Sequence, residues 1–216
     1  MGPYEVGEFG CSACRTSRLP WELVVRLGVY EGELRGWLHE LKFGRWRPAG
    51  RTLGRWLGER LVEAGIARDA VLVPMPTTTH RVVQRGIDHT RVLARAMSTV
   101  CGAEIVPALR RDHRASQRSV PASDRAANVR NAFAVRSLRR FRGRVAGRTV
   151  VLVDDIVTTG ATVRAAARAL MPFGPSRVVV GVVAVADPPG RRTGSSSGSV
   201  SNRRDSPEFL VEKPGD

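Results

Sequence analysis

The sequence predicts an α/β fold: a parallel sheet flanked by helices, preceded by a helical N-terminal segment and followed by a disordered C-terminal tail. Three observations carry this. Residues 149–186 read as strand, helix, strand, because Thr149–Val153 and Arg177–Ala186 are continuous apolar runs around a helical pattern at Ala161–Leu170, and that order makes a parallel crossover. Residues 71–100 carry a second strand, loop and helix. Alternation of this kind places helices on both faces of the sheet and ligands beyond the carboxyl ends of its strands.

Taken in order, residues 1–28 read as an irregular arm with one Cys-x-x-Cys pair, Cys11 and Cys14. Two helices follow. Glu33–Phe43 sets Leu34, Trp37, Leu38 and Leu41 at helical spacing, and Arg51–Glu63 does the same with Leu53, Trp56, Leu57 and Leu61, each pattern giving one apolar stripe. Gly44 and Pro48 mark the break between them.

Val71–Pro74 is a short buried strand, followed by a Pro- and Thr-rich loop and a helix from about Asp88 to Val100. A weaker strand is expected at Glu104–Leu109. The stretch Arg110–Ser123 has almost no apolar residues and reads as a mobile loop. Ser123 or Asp124 suits the N-cap of a short helix to Asn131, and Ala132–Val135 returns as a strand. After Pro188 and Pro189 the sequence RRTGSSSGSVSNRRDSPEFLVEKPGD cannot bury a core, so residues 188–216 are expected to be disordered.

The 216 residues suffice for one well-cored domain, and 42% hydrophobic with 25% charged residues is the balance of a globular chain. No run approaches the roughly 18 apolar residues of a membrane span, so the expected location is the cytoplasm. Three cysteines, Cys11, Cys14 and Cys101, give no disulfide framework. The net charge is +15, and of 35 Lys and Arg residues only Lys42 and Lys213 are lysines. Such a surface attracts polyanions such as nucleic acid; the same skew also arises from a GC-rich coding sequence, with the arginines merely solvated.

The most informative segment is TVVLVDDIVTTGATV, residues 149–163. Asp154 and Asp155 stand at the carboxyl end of a buried strand, where an open α/β sheet presents functional groups. Adjacent carboxylates there suit the vicinal hydroxyls of a ribose, or a divalent cation. Thr158, Thr159, Gly160, Ala161 and Thr162 supply small side chains, a glycine and hydroxyl donors at a helix start, which is an anion-binding arrangement. Acceptors for a diol beside donors for a phosphate describe a phosphorylated ribose; the plainer alternative is a strand-to-helix turn capped by threonine. The chain has no Gly-Lys pair for a Walker-type loop and no G-x-G-x-x-G after its first strand.

At these residues the chain resembles the type I phosphoribosyltransferases, and over residues 29–187 it is similar to the ComF (competence protein F-like) family. The further stretches that carry this are Leu41-Lys42-Phe43, Pro74-Met75-Pro76, Gln84-Arg85-Gly86 with Asp88, and Gln117 followed by Arg125 and Asn128. The resemblance implies a phosphoribosyltransferase-like domain at 29–187 that binds phosphoribosyl pyrophosphate with Mg2+. Asp154 and Asp155 would be the catalytic acids, 158–162 the 5-phosphate loop, and Thr77, Arg81 and Arg85 the pyrophosphate side; Arg114, Gln117, Arg125 and Asn128 would belong to a flap. It also implies, for some members, a part in DNA uptake, with single-stranded DNA or a DNA-uptake helicase as partner. Members often carry an N-terminal zinc region of two or more Cys-x-x-Cys pairs. Here Cys11 and Cys14 form one pair, short of four ligands, so zinc is not expected. The acceptor of a transfer is not legible.

Overall fold

A computed structural model describes residues 19–43, 47–66, 69–78, 82–83, 86–111, 133–135, 138–186 and 211–212. Its main sheet has six strands in the order β3-β2-β6-β7-β1-β8, formed by β1 (Leu23–Val29), β2 (Val71–Pro74), β3 (Glu104–Ile105), β6 (Thr149–Val157), β7 (Arg177–Val185) and β8 (Val211–Glu212). Pairing is parallel from β3 through β1, and β8 lies antiparallel on β1. A separate antiparallel pair joins β4 (Leu109–Arg111) to β5 (Phe133–Val135).

The expected parallel sheet with helices on both faces is therefore present. On one face lie α1 (Gly32–Phe43), α2 (Arg47–Glu63) and α3 (His89–Cys101); on the other lie α4 (Leu138–Val145) and α5 (Ala161–Leu170). Strand alternation divides β6 between the two layers: Val151 and Val153 pack with Leu41, Leu57 and Leu93, while Val150 and Leu152 pack with Val163, Ala166 and Leu170. Each fully buried Leu or Val of these layers contributes about 1.5–3 kcal/mol relative to exposure.

One packing device escaped the sequence reading. Gly50, Gly54 and Gly58 repeat every fourth residue of α2 and bring it against α3: a Cβ on Gly54 would lie 2.7 Å from the Leu93 carbonyl oxygen, and one on Gly58 3.0 Å from that of Met97. The contacts advance along both chains together, Gly50 meeting Val92 and Gly58 meeting Val100, so the helices run parallel.

Differences from expectation are local. Leu23–Val29, assigned for the most part to the irregular arm, is a sheet strand; Leu23, Val25 and Leu27 are buried on one face, while Val24 on the other face packs against the second core layer and is only partly buried. The stretch 104–109 splits into β3 and the start of β4, Pro107 lying between them. Helix α4 was missed because arginine dominates it; Phe141 and Val145, four residues apart, are its buried contacts. Val211–Glu212, placed in the disordered tail, pairs with β1. Of the loop expected at 110–123, Arg110 and Arg111 instead belong to β4, paired with β5; residues 112–123, the expected helix at 123–131 and the remainder of the tail lie outside the described residues.

Candidate functional site

The carboxyl ends of β2 and β6 open into a cleft of about 170 Å³ lined by Lys42, Met75, Pro76, Thr77, His89, Thr90, Arg111, Asp154, Asp155 and Thr162. Asp154 and Asp155 lie inside β6, which runs on to Val157, further than the sequence indicates. Alternation turns the neighbours to opposite layers. Asp155 sits on the α1–α3 side, where Lys42 Nζ is 2.8 Å and His89 Nε2 3.2 Å from its Oδ2; its Oδ1 accepts from the Ile156 amide at 2.8 Å. Asp154 Oδ1 accepts from the Asp155 amide at 2.9 Å.

These surroundings drive the two acids apart. Burial, then the neighbouring Asp155 charge, pushes the Asp154 carboxyl up to about 8. Burial acts in the same direction on Asp155, but His89 and Lys42 outweigh it and hold that carboxyl below its ordinary value. Asp155 is thus the ionised, neutralised partner, and Asp154 the one still short of a positive charge.

His89 reaches the site because α3 begins there. Asp88 caps that helix by accepting from the Arg91 amide at 3.3 Å, and the Thr90 hydroxyl donates to the Met75 carbonyl at 2.8 Å, tying the helix start to the end of β2. Arg111 enters from β4, donates through Nε to the Pro76 carbonyl at 3.2 Å and lies over the Phe133 ring at 5.5 Å. Lys42 comes from the last turn of α1.

The expected phosphate loop follows β6. Gly160 holds a left-handed conformation, φ +69°, and as the N-cap residue it offers α5 no side-chain acceptor. A Cβ on Gly160 would lie 3.5 Å from Trp21 Cη2. Thr158 and Thr159 are exposed, the Ala161 amide approaches Thr159 Oγ1 at 3.4 Å, and Thr162 reaches the cleft.

The cleft therefore gathers Asp154, Asp155, Thr162 and Thr77 from the sequence reading. Arg81, Arg85, Arg114, Gln117, Arg125, Asn128, Cys11 and Cys14 lie outside the described residues. Sequence reasoning gave Lys42, inside Leu41-Lys42-Phe43, no role of its own, placed Arg111 in the arginine-rich loop stretch, and passed over His89. The first had a signal: one of only two lysines among 35 basic residues is a conspicuous choice of side chain.

Among the described residues one group has metal-ligand geometry, His89 with Asp154 and Asp155, whose candidate atoms lie within 4.8 Å of one another. The acidic donor set fits a hard dication, whose charge would offset the burial and the Asp155 charge that raise the Asp154 pKa to about 8. Asp155 already has its cations. No helix among the described residues is long and apolar enough to cross a membrane.

The profile of the phosphoribosyl transferase domain matches residues 85–211, more than half of the chain. The chain belongs to this family. It is also 30% identical over 176 residues to the DNA utilization protein YhgH of Escherichia coli (strain K12), spanning 79% of this chain and 75% of that protein. Competence protein F of Haemophilus influenzae is 28% identical over 179 residues, spanning 79% and 76%. These relatives bear out the ComF-like resemblance. A solved structure of the allosteric regulatory enzyme of purine biosynthesis has 22% identity and a TM-score of 0.42, covering 63% of this chain and 25% of that one.

Proposed function

We propose that this ComF-like phosphoribosyltransferase-domain protein binds phosphoribosyl pyrophosphate with Mg2+ and transfers its phosphoribosyl group to an acceptor. One observation carries the reading: Asp154, a carboxyl without the cation partners of Asp155, opens into the same cleft as Thr162 in the first turn of α5. The 5-phosphate is assigned to the amides and hydroxyls of residues 158–162. Asp154 accepts from the ribose hydroxyls or holds the ligand-borne cation, and Thr77 and Arg111 flank the leaving group, with Arg81 and Arg85 of the same loop region as further candidates. Bound Mg2+ would supply charge neutralisation on the departing pyrophosphate. As the ring becomes positive in the transition state, the carboxylate of Asp154 beneath it lowers the barrier by electrostatic attraction.

The experiment is calorimetric titration with phosphoribosyl pyrophosphate and Mg2+. Binding by wild type that is lost in Asp154→Ala supports the reading; no binding by wild type, or equal binding by the variant, sinks it. Pyrophosphate release with a panel of bases then tests transfer.

A second reading, a DNA-uptake accessory protein that handles single-stranded DNA and keeps the phosphoribosyl site as a sensor, is favoured by the net charge of +15 and by relatives named for DNA utilization and competence. Single-stranded DNA binding with a steep salt dependence supports it, and none counts against it. Both readings keep the cytoplasm as the working location.

A further inference from the structure

We propose that Lys42 is a binding residue for the pyrophosphate of the ligand, held in position by Asp155, so that the two adjacent acids have separate tasks. The proposal rests on the phosphoribosyl pyrophosphate reading and deepens it.

Both oxygens of Asp155 are engaged: Oδ1 by the Ile156 amide, and Oδ2 by Lys42 at 2.8 Å and His89 at 3.2 Å. A ribose diol would have to displace an ammonium from a mostly buried carboxylate, which costs far more than binding an open one. Asp155 is accordingly a positioning residue. What it positions is an ammonium with three donors, ion-paired 2.8 Å from Oδ2, on a side chain that is 18% exposed and lines the cleft. The Lys42 ammonium is already desolvated and oriented before any ligand arrives, the condition under which a charge stabilises a leaving group most effectively.

The side of the cleft follows from strand geometry. Asp155 projects toward α1 and α3, the side from which Lys42 enters; Met75 and α5, which begins beside Thr162, pack on the opposite side, that of Asp154. An anion that meets Lys42 is therefore the one farther from the 5-phosphate loop, the pyrophosphate. Arg111, bonded to the Pro76 carbonyl, is a second cation lining the cleft. The choice of lysine in a chain with 33 arginines fits a compact ammonium wedged beside a carboxylate, where a planar guanidinium needs more room.

The scarcity of lysine makes the test direct. Reductive methylation with 13C-formaldehyde labels Lys42, Lys213 and the amino terminus, and Lys213→Arg identifies the Lys42 signal. Mg2+-pyrophosphate should shift that signal saturably. In titrations, Lys42→Met should weaken pyrophosphate and phosphoribosyl pyrophosphate about tenfold or more, the effect of losing one charged hydrogen bond, while ribose 5-phosphate stays within about twofold and Lys42→Arg recovers part of the loss. An unmoved Lys42 signal, or equal losses for pyrophosphate and ribose 5-phosphate, overturns the proposal. The labelled wild type gives this answer even where Lys42→Met does not fold. If wild type binds phosphoribosyl pyrophosphate while Lys42 stays silent, only this assignment falls; if wild type does not bind it, the functional reading falls first.

Discussion

Asp154 accepts a hydrogen bond from the amide of Asp155, 2.9 Å away, yet the two carboxyls are pushed in opposite directions: Asp154 up to about 8 and Asp155 below its ordinary value. The adjacent acids of the motif are chemically unlike because only one of them faces Lys42 and His89.

A pH dependence follows for the metal-free protein. Asp154 goes from about 3.8 unfolded to about 8 folded, so the folded form holds the proton more tightly; that stabilisation is full below pH 3.8 and is lost as pH rises through 8. Asp154→Asn removes the loss. In EDTA its melting temperature is expected to fall less than that of wild type between pH 5 and pH 9, by about 8 °C, and Mg2+ at pH 9 should raise wild type and leave the variant unmoved. Thermal melts at the two pH values check this.

The glycine seam predicts opposite signs for one substitution at two sites. Gly54→Ala puts a methyl 2.7 Å from the Leu93 carbonyl and 2.6 Å from Ala96 Cβ, and forcing the helices apart should cost about 1–3 kcal/mol. Gly36→Ala in α1, with nothing within 4 Å of the new methyl, should stabilise by about 0.5–1 kcal/mol. Urea denaturation of both variants reads the difference.

At Gly160, φ is +69° and the ring of Trp21 stands 3.5 Å from a new methyl. Gly160→Ala should cost about 1–2 kcal/mol in backbone strain and weaken ribose 5-phosphate binding more than pyrophosphate binding, since the α5 amides are displaced. Titration with each ligand separates the two.

On the sheet edge, Glu104 of β3 receives Arg144 and Arg148, and Arg148 also donates to the carbonyls of Asp69 and Ala70. The two guanidiniums hold the Glu104 carboxyl below its ordinary value, so its contribution is present above the unfolded value and fades as pH falls through the lowered one. Glu104→Gln should leave stability nearly unchanged at pH 3 and lower it modestly at pH 7, the group being largely exposed. Acid-dependent melts of the pair decide.

The parallel crossover 149–186 was legible because two unbroken apolar runs flank an Ala-rich helix, and α5 begins and ends where its pattern says. The acidic pair was legible from its place at a strand end. The split between Asp154 and Asp155 was not: it depends on Lys42 and His89, 113 and 66 positions away, brought in by helices whose packing alone sets their reach. β1 was missed because Leu23, Val25 and Leu27 alternate over too short a span to stand out beside the Pro-containing segment before it. α4 was missed because Arg142 and Arg144 beside Phe141 mask a two-residue apolar contact.

Among the described residues β1 pairs with β7 and β8, the last two strands in sequence order. During synthesis it leaves the ribosome with no edge to join until residues 177–185 have followed it, and loop closure over that separation is slow. α1, which carries Lys42 to the cleft, directly follows β1. Lys42 therefore meets Asp155 once β7 has formed and seated β1 beside it, and ligand affinity should mature late in folding.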